Sequence, residues 1–182
     1  MKNTRKIVWI SILTALAILF YFVEISVGFL FPSAPFLKID FSDLPALIGG
    51  IVTGPSGAIL IQLFKNVLHA LLMTKEPSFS GEIGNFAAGV FFVLPILFSL
   101  QFKRKISLLL GCIAGTLAMT LMMCFVNYVV TLPLYGIPEA ARIPLILSTF
   151  IPFNIIKGIL LSAVFMVLYP HLDRFLCEHQ AK

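Results

Sequence analysis

Long apolar runs, separated by short polar or proline-bearing stretches, occupy nearly all of the 182 residues. A helix that crosses a bilayer needs about 20 predominantly apolar residues, and the first run, 7–31, exceeds that length. An extended segment with Pro32 and Pro35 follows, reaching Asp43. The next run, 44–72, is too long for one span, and Gly54-Pro55 breaks it near the middle. It reads as a short helix at about 44–53, a turn, and a helix at about 56–73, the short one spanning with help from neighbours or by a partly re-entrant path. Polar residues 74–81 lead to a fourth helix at about 82–100, and a fifth lies at about 106–132. After a loop, 133–144, with Pro133, Pro138 and Pro144, a sixth helix is expected at about 147–169. The expected fold is an all-α membrane protein, a single domain over 1–182 built as a six-transmembrane-helix bundle.

Composition agrees with a lipid-facing surface. Hydrophobic residues make up 59% of the chain and charged residues 12%, against roughly 25% charged in soluble domains. The net charge of +5 could suggest nucleic acid, but the basic residues are placed as a topology signal. Lys2, Arg5 and Lys6 precede the first run, Lys103, Arg104 and Lys105 separate the fourth and fifth, and Arg174 and Lys182 lie in the tail. Basic residues stay on the cytoplasmic side, so both termini and the 103–105 loop are expected on the cytoplasmic side of the cell membrane. The other side then holds Lys38, Lys75 and Arg142 with Asp40, Asp43, Glu76, Glu82 and Glu139. The first run is too long for the apolar core of a signal peptide and lacks a clear small-residue cleavage site, so it reads as a retained helix. Cys112, Cys124 and Cys177 suggest packing rather than disulfides.

Polar side chains inside spans are costly and mark function or internal pairing. Glu24 falls in the first run, and Lys65, Asn66 and His69 fall in the third helix. Glu82 and Asn85 open the fourth, Asn127 lies late in the fifth, and Asn154 and Lys157 lie early in the sixth. By residue count most of these reach the same outer level, where a bundle interior can form a pocket. An asparagine offers both an acceptor and a donor, which suits a heterocycle with alternating acceptors and donors such as a flavin edge. The plainer readings stand beside this one: Glu82 with Lys157, or Glu24 with Lys65, as structural ion pairs, and Asn66 and Asn85 as interhelical hydrogen bonds. Asp40 and Asp43 read as loop charge and a helix N-cap, because Ser42-Asp43 directly precedes a helix start. The small-residue pairs Gly111/Gly115 and Ser11/Ala15 allow close helix approach. No phosphate-binding glycine loop, metal-ligand spacing or nucleophile motif is present, so an enzyme is not expected, and any ATP-driven motor must be another subunit.

The segment from Phe36 to Ile48, Gly54-Pro55, Lys65-Asn66 with His69, and Gly81-Glu82 with Asn85-Phe86 resembles the riboflavin-specific substrate-binding subunits of energy-coupling factor (ECF) transporters. Asn127-Tyr128, Leu132 to Gly136, and Asn154 with Lys157 extend that resemblance across nearly the whole chain. It implies a binding subunit that takes a vitamin from outside and works with a transmembrane coupling subunit and two cytoplasmic ATPases, with no cofactor of its own. Asn127, Asn154 and Lys157 are implied as flavin-ring contacts, and Glu82, Asn85 and Lys38 as candidates for the ribityl side or gating. Ser11 and Ala15 stand where such subunits carry an Ala-x-x-x-Ala pair facing the coupling subunit. Alternatives within the class are another vitamin or flavin mononucleotide, with Lys38, Lys65 or His69 to meet its phosphate. Outside it stand a small intramembrane enzyme and a membrane assembly scaffold.

Overall fold

The computed structural model describes residues 2–73, 77–102 and 105–180. Lys75, Glu76, Lys103, Arg104 and Lys182, used above as topology signals, lie outside the described residues. The chain folds into helices α1 (Lys2–Phe22), α2 (Asp43–Thr53), α3 (Pro55–Leu72), α4 (Ser80–Leu100), α5 (Lys105–Val126), α6 (Leu132–Leu134), α7 (Glu139–Leu145) and α8 (Ile151–Gln180). Two-residue strands β1 (Ile25–Ser26) and β2 (Lys38–Ile39) pair antiparallel between α1 and α2. Among the described residues, five continuous helical stretches are long and apolar enough to cross a membrane: Asn3–Phe22, Pro55–Leu72, Ser80–Leu100, Ile106–Leu134 and Glu139–Arg174.

The first span is shorter than its apolar run. Helix α1 stops at Phe22, not near Phe31, and the chain turns into a hairpin that caps one end of the bundle. Alternating β-branched Val23, Ile25 and Val27 favour extended backbone, and Gly28 permits the turn. A Cβ on Gly28 would lie 2.8 Å from the Pro35 carbonyl oxygen, so the two arms close only over a glycine. Part of this segment's apolar surface serves protein packing, while Val23, Ile25, Phe29 and Leu30 stay exposed. Val27, Ala34, Leu37 and Ile39 are buried with Leu132, Ile146, Phe150 and Phe153 in one core cluster.

The break at Gly54-Pro55 separates α2 and α3 as expected. Gly54 adopts φ 91°, a left-handed conformation suited to glycine, and Pro55 occupies the first turn of α3, where no intrahelical N–H is missed. With 11 residues, α2 is only about 16 Å long, about half of a hydrocarbon core. The non-helical stretch above it, 40–42, is buried in protein, the condition under which irregular backbone is tolerated at membrane depth.

The last two spans run further than their apolar patterns. The loop expected over 133–144 is short, because α6 and α7 occupy much of it. Each span also contains a π-helical segment, Asn127–Thr131 and Ile146–Phe150. Helices α4 and α5 cross closely through Gly111 and Gly115: a Cβ on Gly115 would lie 2.5 Å from the Phe92 carbonyl oxygen. That small-residue pair is therefore internal packing.

Candidate functional site

The capped end of the bundle holds a cavity with about 660 Å³ of empty space, part of it open to solvent. The end of α1 contributes Tyr21, the hairpin contributes Glu24, Phe36, Leu37, Lys38 and Asp40, and the start of α4 contributes Ser80, Gly81, Gly84, Asn85 and Ala88. Met123 of α5 and Asn127 and Thr131 of the following π-helical segment line another wall, and Phe150, Phe153, Asn154 and Lys157 complete it. Inserting an extra residue into a helix re-aims the side chains around it, and such segments gather at functional sites. Here Asn127 and Thr131 are both buried on the inward face of one, and Phe150 ends the other.

Aromatic rings set the cavity's shape. Phe36 stacks on Tyr135 with centroids 4.2 Å apart, which ties the hairpin to the loop after α6. Phe31 meets Phe153 edge-on at 5.9 Å. Tyr21 stacks on His69 at 3.8 Å, and the Lys65 ammonium lies 5.8 Å from the Tyr21 ring centroid. Of these rings, Tyr21, Phe36 and Phe153 line the cavity and offer apolar walls to a ligand.

Beneath the rings lies a buried charge cluster. Asp40 Oδ2 accepts from Lys157 Nζ at 3.1 Å and from Asn85 Nδ2 at 3.0 Å. Its Oδ1 accepts from the Ser42 backbone N–H at 2.9 Å and from the Ser42 hydroxyl. Asp43 Oδ1 accepts from Lys65 Nζ at 2.6 Å and Gln62 Nε2 at 2.9 Å, while Lys157 Nζ lies 3.9 Å from Asp43 Oδ2. Lys65 Nζ also donates to Ser42 Oγ at 2.6 Å. Two carboxylates thus balance two ammonium groups, which makes burial tolerable. Burial pushes the Asp40 carboxyl up, but Lys157, Lys65 and the Ser42 hydrogen bonds outweigh it and hold the group well below the usual carboxylate range.

The pairing differs from both sequence alternatives. Lys157 pairs with Asp40 rather than Glu82, and Lys65 pairs with Asp43 rather than Glu24. Glu82 instead meets His69 Nδ1 at 2.8 Å, and Glu24 pairs with Lys38. Asp43 is not an N-cap: Ser42 stands in that position without a side-chain cap bond, and the Asp43 carboxylate turns inward to Lys65 and Gln62. Asn66 donates to the Gln62 carbonyl on its own helix at 2.8 Å, and Asn85 reaches the Asp40 loop, so neither donor bond bridges two helices.

Several polar atoms around the cavity have no hydrogen-bond partner in the protein: Ser80 Oγ, Asn85 Oδ1, Asn127 Nδ2 and Thr131 Oγ1. Unmet buried groups of this kind are costly, and a ligand that supplies complementary donors and acceptors removes the cost. The site is therefore built to receive a molecule with both apolar faces and a polar edge.

Residues 5–169 match the family described as the substrate-specific component of ECF transporters. The chain belongs to that family. It is 39% identical over 183 residues to the riboflavin transporter RibU of Staphylococcus aureus (strain TCH60), covering 97% of this chain and 94% of that protein. With the riboflavin transporter FmnP of Bacillus subtilis (strain 168) it shares 36% identity over 191 residues, covering 98% and 97%. A solved structure described as the S component of a bacterial ECF transporter superposes with a TM-score of 0.82 at 38% identity, over 96% of this chain and 98% of that one. An ECF substrate-specific component is a binding subunit of a transporter rather than an enzyme, and its helical fold makes this a multi-pass membrane protein.

Within this ECF subunit, Asn127, Asn154, Lys157, Asn85 and Lys38 all line the one cavity. Glu82 does not; it lies behind the wall against His69. Ser11 and Ala15 do not line the cavity and sit on the exposed face of α1, one turn apart. Sequence reasoning missed the inward roles of Asp40 and Asp43, and it did not single out Tyr21, Phe36, Phe150, Phe153, Ser80 or Thr131. Two carboxylates three residues apart, beside two intramembrane lysines, were the available signal for the charge cluster. Nothing in a chain with 18 phenylalanines distinguishes the three at the cavity.

Proposed function

We propose that this ECF subunit binds riboflavin with high affinity from the outside of the cell membrane and delivers it inward with a transmembrane coupling subunit and two cytoplasmic ATPases. The observation that carries the reading is the cavity itself: flat aromatic walls from Phe36, Phe150 and Phe153, with unmet amide groups of Asn127 and Asn85 and the Lys157 ammonium at its polar side. An isoalloxazine ring has two apolar faces and an edge of carbonyls and an imide N–H, which such groups complement. In this reading Asn127, Asn154 and Lys157 hold the ring edge, and Asn85 and Lys38 serve the ribityl side. The naming of full-length relatives as riboflavin transporters points the same way.

Orientation and coupling complete the proposal. Both termini lie in the cytoplasm across six crossings, with the cavity opening outward, in keeping with the basic residues at the start of α1 and between α4 and α5. Only 22% of the most apolar window of α1 is buried, against 39% in each of the other four long spans. Its free face, bearing Ser11 and Ala15, is where the coupling subunit packs. The test is direct: the protein purified in detergent shows flavin absorbance or quenches the fluorescence of added riboflavin. A colourless preparation that leaves riboflavin fluorescence unchanged overturns the reading.

A further inference from the structure

The charges that line the cavity cancel one another. Among its described lining residues the cations are Lys38 and Lys157, and the carboxylates are Glu24 and Asp40. Each cation is already paired, Lys157 with Asp40 and Lys38 with Glu24. Lys65 and His69, the other basic side chains considered for a phosphate, do not line the cavity and are engaged by Asp43 and Glu82.

We infer that Glu24, through its ion pair with Lys38 at the cavity wall, is a specificity-determining residue that turns the site against phosphorylated flavin. The inference rests on the riboflavin reading above. A phosphate monoester carries a charge of about −1.5 to −2 at neutral pH and gives up strong hydration only for charge-assisted hydrogen bonds. In this cavity it meets no cation whose charge is uncommitted, and it meets two carboxylates. To recruit Lys38 it must displace Glu24, which leaves like charges facing one another. A neutral ribityl chain carries no such conflict, because hydroxyls donate to a carboxylate and accept from an ammonium.

The two ion pairs are not equivalent. Asp40 and Lys157 are 3% and 5% exposed and are tied into Ser42, Asn85 and Asp43. Glu24 and Lys38 are 26% and 35% exposed, and among the described residues Glu24 makes no other ion pair or hydrogen bond. Neutralising Glu24 therefore frees a cation without opening the buried cluster, which singles it out as the determinant of charge preference.

The experiment measures dissociation constants for riboflavin and for riboflavin 5′-phosphate by fluorescence quenching of the full-length protein in detergent. Wild type, Glu24→Gln and Lys38→Met are compared through the ratio of the two constants. Wild type prefers riboflavin. In Glu24→Gln the ratio of phosphate to riboflavin constants falls by about ten-fold, equivalent to a single favourable charge contact, and the change shrinks as salt rises. In Lys38→Met the ratio rises instead. Each variant's thermal midpoint in detergent, compared with wild type, reports on its folding, and Lys38→Met carries the test if Glu24→Gln does not fold. An unmoved ratio in either folded variant, or a wild type that prefers the phosphate, overturns the inference. A wild type that binds neither flavin overturns the riboflavin reading, and this inference with it, a result distinct from riboflavin binding with an unmoved ratio.

Discussion

Asp40 holds two cavity-lining side chains with one oxygen, and this explains why so few residues carry so much of the site. Lys157 and Asn85 both donate to its Oδ2, while Ser42 holds its Oδ1. Lys157 thus enters the cavity with its direction set, and less entropy is lost when a ligand takes a further hydrogen bond from it. Asn127 differs, since its amide nitrogen has no partner in the protein and is available for a ligand. Replacing Asn127 or Lys157 by alanine is expected to weaken riboflavin binding more than ten-fold, about 1.4 kcal/mol or more, as measured by fluorescence titration. Unchanged affinity in both folded variants would assign these residues to structure alone. Lys65 belongs to stability: it and Asp43 are fully buried as a pair. Lys65→Met leaves Asp40 and Asp43 to share the single ammonium of Lys157 and is expected to cost about 3 kcal/mol or more, read as a lower thermal midpoint in detergent. Lys65→Met combined with Asp43→Leu should recover much of that loss, because the uncompensated charge is then gone.

Among the elements, α4 is held nearest the charge cluster by Gly89. A Cβ there would lie 2.4 Å from the Gln62 side-chain amide and 2.5 Å from Asp43 Oδ1. Gly89→Ala therefore pushes directly on the Gln62–Asp43–Lys65 contacts, and it should lower the thermal midpoint although alanine is the better helix former. A rise in the midpoint would show that the cluster yields without loss. Helix α1 presents the opposite case, a face with no protein against it. Ala15→Trp adds bulk at an exposed position on this face, so purified protein should bind riboflavin as before while uptake by cells carrying the complete transporter falls. Equal uptake would remove Ala15 from the coupling contact. The hairpin between α1 and α2 shows how apolar patterning misleads at this scale. Its Val27, Leu37 and Ile39 are as hydrophobic as a span, yet their neighbours are Leu132, Ile146, Phe150 and Phe153 rather than lipid. Hydrophobicity measures exclusion from water, and protein and hydrocarbon satisfy it alike.

At the scale of the whole molecule, the cavity opens at the end capped by the hairpin, and the proposed orientation puts that end outside. In a variant with Cys112, Cys124 and Cys177 replaced by serine, Ser33→Cys in the exposed hairpin should react with a membrane-impermeant maleimide on intact cells. Arg104→Cys should react only after permeabilisation, and the reverse pattern would invert the topology. The sequence by itself determined the membrane class, five of the long helices and the Gly54-Pro55 break, because each depends on local composition or backbone geometry. It also put Glu82, Asn85, Asn127, Asn154 and Lys157 at one level, since a helix converts residue count directly into depth, although Glu82 turns to His69 instead of the cavity. Tertiary structure alone decided the partners. Asp40 and Lys157 are 117 positions apart, and only the folding of the hairpin over the start of α8 brings them together. The end of α1, the inward turn of Asp43 and the choice of three aromatic walls from many phenylalanines were settled likewise, by contacts between distant segments that no local pattern encodes.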